Sequence, residues 1–184
     1  MDGVRAYFAV KSVFENTAQL LVDFPEERIK FGAMKLAEDR NPRMAEFALV
    51  TVHCDGVPVP RNQIMWSNAI FGDDAPGRHP LPKATLTQGD ILLDDPSRPE
   101  MTQISVNELV REYGDASLSG PVTDEMLANG KCRLVLFFMS MLELVSMLAL
   151  GRTVGAHNQL TERAEECGFS IERLVAMIQV IISG

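Results

Sequence analysis

The stretch from Leu134 to Leu150, LVLFFMSMLELVSMLAL, constrains this chain most, because only Ser140, Glu143 and Ser146 interrupt its apolar run. Those three residues are spaced three apart, so on a helix they form one narrow polar stripe with apolar side chains in every other direction. A helix of that kind is stable in water only when most of its circumference is covered, by its own chain or by a neighbour. At 17 residues it reaches the short edge of a membrane span, with Glu143 near its centre and basic residues on both flanks (Lys131, Arg133 and Arg152). The expectation is therefore a buried core or interface helix, not a membrane partner.

The remaining signals place that helix in a mainly α domain. Residues 4–22 carry apolar groups at helical spacing. Asp23-Phe24-Pro25-Glu26-Glu27 predicts a second helix, with Pro25 at its first position and two acids where the helix dipole favours them. It should run to about Asp39, bury Ile29, Ala33, Leu36 and Ala37, and stop at Asn41-Pro42. The β-branched stretch Glu46 to Cys54 reads as a strand, and Asp55-Gly56 turns it into a hairpin whose return, Val57-Pro58-Val59-Pro60, suits only an edge or an extended arm. Gln63 to Phe71 is open between helix and strand. Gly72 to Pro99 is rich in Gly and Pro, with a short strand at Asp90 to Leu93.

Ser105-Val-Asn-Glu108 has the form of a capping box, opening a helix that Gly114 ends. Thr123 opens a short helix closed at Asn129-Gly130, and the apolar helix then spans about 131–150. An αα-hairpin over 158–182 completes the chain. The whole is one domain, 1–184. Its N-terminal region (1–40) is helical, its middle (44–100) is a hairpin with an extended region, and its C-terminal region (105–184) is helical again.

Composition narrows the function classes. The net charge is −8, and 9 acidic against 5 basic groups make the middle third, residues 61–120, the most acidic. Such a surface disfavours unspecific attraction to DNA or anionic lipid. The three cysteines, Cys54, Cys132 and Cys167, are isolated and odd in number, which points to a reducing, intracellular home or a virion rather than a disulfide framework. His53-Cys54-Asp55 and the loop residues Asp73, Asp74 and His79 lack metal-ligand spacing, and adjacent strand residues point to opposite faces. The histidines His53, His79 and His157 stand near no G-x-S-x-G serine, and Gly151 to Gly155 lacks the lysine of a phosphate loop. No catalytic set, metal site or cofactor is expected.

Three functional classes stay open. The first is a self-associating assembly subunit of the viral or phage coat or filament kind. Its interface and core residues are Ser140, Glu143 and Ser146 on the apolar helix and Met177 and Ile178 on the last one. In that setting Arg28, Lys30, Lys35, Arg40 and Arg43 would form a local Arg-containing groove for packaged nucleic acid. They are interleaved with Glu26, Glu27, Glu38 and Asp39, so a solvated mixed-charge face is the simpler reading. The second is a helix-turn-helix regulator built on 158–182, although Ile171 to Ile182 offers few donors for base edges. The third is an acidic module that occupies a basic groove on a protein partner.

Overall fold

The computed structural model describes residues 12–13, 17–54, 57–72, 81–87, 89–94, 103–114 and 122–150. The predicted 158–182 hairpin with Met177 and Ile178 lies outside the described residues, as do Asp55, Asp73, Asp74, His79, His157 and Cys167. What is described is mainly helical with small antiparallel sheets, as the sequence leads one to expect.

Of the first predicted helix, Ser12, Val13 and the short α1 (Ala18–Val22) are described and helical. α2 (Glu26–Asp39) starts one residue later than expected: Pro25 is its N-cap, and Glu26 and Glu27 occupy the first turn. Ile29, Ala33 and Leu36 are buried as predicted, whereas Ala37 is half-buried. Arg40 ends the helix in the left-handed region, at φ 44°. Asn41 then caps α3 (Pro42–Val52), accepting a hydrogen bond from the Arg43 amide at 3.0 Å.

α3 overturns the predicted strand at Glu46 to Cys54. Only His53–Cys54 (β1) is extended, pairing with Val57–Pro58 (β2) in the hairpin that Asp55-Gly56 predicts. The β-branched content of Leu49-Val50-Thr51-Val52 is overridden by two features. Asn41-Pro42 is a cap followed by proline at the first helical position. Ala45, Ala48, Leu49 and Val52 recur at i, i+3, i+4 and i+7, and all four are buried on one helical face. Propensity is a weak prior that such packing outweighs.

The open stretch Gln63 to Phe71 belongs to a helix, α4 (Pro60–Phe71). The predicted strand Asp90–Leu93 (β4) is present and forms the centre of a three-stranded antiparallel sheet with Ala84–Thr87 (β3) and Ile104–Ser105 (β5). Neither outer strand is expected from the sequence: β3 alternates half-buried and exposed residues, and β5 is only two residues long. Ser105 caps α5 (Val106–Tyr113), accepting from the Glu108 amide at 2.9 Å, with Gly114 at the C-cap. Asp90 ties sheet to helix, since its carboxylate accepts from the Ser105 hydroxyl at 2.6 Å and the Asn107 amide at 3.1 Å. α6 (Asp124–Ala128) follows its Thr123 cap, and α7 (Gly130–Leu150) is the long apolar helix.

α7 packs most extensively along α3, with α4, α5 and α6 completing its surroundings. The core joins Leu134–Phe138, Met141, Leu144, Val145 and Leu148 of α7 to Ala45, Ala48, Leu49 and Val52 of α3, Leu36 of α2 and Trp66 of α4.

The first turn of α4 organises the helix ends. The last carbonyls of a helix have no partner within it and need donors from elsewhere. Arg61 donates to the Val22 carbonyl (3.0 Å) and the Phe24 carbonyl (2.9 Å) at the end of α1. The Asn62 amide donates to the Leu21 carbonyl (2.7 Å) and to the Thr51 carbonyl (2.8 Å) in the last turn of α3. Gln63 donates to the Met147 carbonyl (2.9 Å) of α7. Two of these side chains thus serve the ends of α1 and α3, whose negative ends meet the positive end of α4, and the third ties α4 to α7.

Trp66, one turn further, is fully buried and donates its indole N–H to the Thr51 hydroxyl at 2.7 Å. Its ring lies so close to Gly32 of α2 that a Cβ there would stand 2.6 Å from the ring edge.

Two outcomes test this arrangement. Gly32→Ala gains helix propensity, worth about 1 kcal/mol. The clash with a rigid buried ring outweighs it, so urea denaturation should show a net loss of about 1–3 kcal/mol. Asn62→Ala leaves the buried Thr51 carbonyl without its side-chain donor, while the Leu21 carbonyl keeps the Phe24 amide, and should cost about 1–3 kcal/mol. The same substitution should weaken hydrogen-exchange protection in α1 more than in α5, which Asn62 does not touch.

Candidate association surface

α7 is not covered all round, which corrects the reading of Leu134 to Leu150 as apolar surface hidden on nearly every side. Its inner side is buried, but Met139, Glu143, Ser146 and Leu150 are exposed. These four follow i, i+4, i+7 and i+11 and therefore lie along one outward strip. Glu143 and Ser146 are the two exposed members of the predicted polar stripe, and Ser140 is half-buried beside them. The Ser146 hydroxyl donates to the Glu143 carbonyl at 2.8 Å, a bond within the helix. Glu143 thus faces outward rather than standing as an isolated charge in the core.

Two members of the strip are apolar: Met139 is 37% exposed and Leu150 65%. Reading the stretch by its polar interruptions passes over these two. Their eleven-residue separation, three helical turns, was the available signal. Leu142 and Met147, half-buried, flank the strip and pack against the core. By length and composition alone α7 would also span a bilayer, and half of its most apolar window is buried inside the fold.

Of the five predicted cations, Lys30, Lys35 and Arg43 are paired with acids. Lys30 pairs with Glu26 at 2.9 Å, and Lys35 with Glu38 at 2.8 Å and Asp39 at 3.7 Å, all along the exposed side of α2. The neighbouring carboxylates hold the Lys35 ammonium above its usual range, and Lys30 holds the Glu26 carboxyl below the usual carboxylate range. The small stabilisation from Glu26 is present above its ordinary titration range and is lost as pH falls through the lowered one. That from Lys35 is present below its ordinary range and is lost as pH rises through the raised one.

Arg28 is exposed on α2, and Arg40 sits at the α2–α3 junction. Arg43 has a different task. It is largely covered, donates to the Val122 carbonyl at 3.1 Å and pairs with Asp124 at 2.9 Å, clamping the start of α6 to α3.

Other chemistry-bearing groups are placed structurally. His53 lies at the end of α3, with Nδ1 2.8 Å from the Leu49 carbonyl. Cys54 and Cys132 are free and buried. Burial first, and the nearby Glu112 second, push the Cys132 thiol up, which keeps it protonated and a poor nucleophile. Among the described residues no three His, Cys, Asp or Glu side chains converge as metal ligands. No protein-family model matches the sequence, and no curated protein does.

Two substitutions separate the strip from the clamp. Glu143→Leu should change the folding stability of the isolated chain by no more than about 0.5 kcal/mol, as expected for an outward site. Arg43→Met should lose about 1–3 kcal/mol, because a buried carbonyl loses its charged donor. Chemical denaturation of both variants measures the contrast.

Proposed function

We propose that this chain is a non-enzymatic assembly subunit that associates with copies of itself, of the kind that builds a coat or filament. The observation that carries the reading is the outward strip of α7. The longest helix among the described residues covers its inner side within the chain, yet carries exposed Met139 and Leu150 on its outer side. Single exposed apolar residues are ordinary on a protein surface. Here they share one rigid helix with a carboxylate and a hydroxyl between them, a mixed strip that can pair with another surface while staying soluble when free. Phe31, on the outer face of α2, and Val57, on the hairpin edge, are further exposed apolar groups.

The pairing of Lys30 and Lys35 with acids on their own helix, and the use of Arg43 as a clamp, support protein rather than nucleic acid as the main partner. A strongly acidic balance supports the same preference.

The deciding measurement is the native mass of the full chain by light scattering over a range of concentrations, together with its absorbance ratio at 260 and 280 nm. A concentration-dependent oligomer with a protein-like ratio is expected. A monodisperse monomer at high concentration would overturn the proposal. Steeply salt-dependent binding to duplex DNA would favour a regulator instead. Met139→Ser combined with Leu150→Ser should reduce association at least tenfold while leaving the denaturation midpoint nearly unchanged, since both side chains stand at the surface.

A further inference from the structure

We draw no further inference here: the strongest candidate, the outward strip of α7 from Met139 to Leu150, belongs to the surface already described, and nothing among the described residues shows what covers it.

Discussion

Backbone carbonyls at helix ends are groups this fold has to satisfy, and the first turn of α4 does so for α1 and α3 while also bonding a carbonyl of α7. Arg61 and Asn62 reach the ends of α1 and α3, and Gln63 reaches the Met147 carbonyl of α7. A buried carbonyl without a donor costs about 1–3 kcal/mol. The convergence of two helix termini and a carbonyl of α7 on one helix start is therefore a strong constraint on how the helices are arranged. It also explains why polar residues sit in the core. Thr51, Asn62, Gln63 and Ser67 are buried, and the first three have donors or acceptors spent on that junction.

Apolar packing is built outward from the same place. Trp66 follows the capping residues by one turn, and its ring fills the space that Gly32 leaves on α2. α3 lies between this junction and α7, with its Ala45, Ala48, Leu49 and Val52 face in the common core. Small side chains at Ala45 and Ala48 let the two helices approach closely, so that bulkier α7 groups such as Phe137 and Phe138 become fully buried. The acidic clamp at Asp124 and the Asp90 connection to α5 fix the periphery with charge-assisted hydrogen bonds rather than apolar area.

This division of labour bears on what the surface is free to do. Charges that look available in the sequence are largely committed: lysines of α2 to acids one turn away, Arg43 to α6, Arg61 to carbonyls. The outward strip of α7 stays out of the described capping and clamping contacts between elements, apart from the backbone carbonyl next to Ser146 that Gln63 uses. A rigid helix held from one side and open on the other is the feature on which the assembly reading rests.

Much of the fold was legible locally. The caps at Thr123 and Ser105, the Pro25-Glu26-Glu27 start, the Asp55-Gly56 hairpin and the long apolar helix are all signals in which adjacent residues satisfy each other, so sequence alone determined them. What only the tertiary structure decided depends on groups far apart in the chain. Glu46 to Val52 is helical because a buried face awaits it. Pro60 to Phe71 is helical, with its first-turn side chains bonded to carbonyls of α1, α3 and α7 far away in the chain. Arg43 is a clamp because Val122 and Asp124, some eighty residues on, lie beside it. The direction of Glu143 was settled last of all. A stripe spaced three apart can face a core, a neighbour or water, and only the position of α3 against the opposite side of α7 turns it outward.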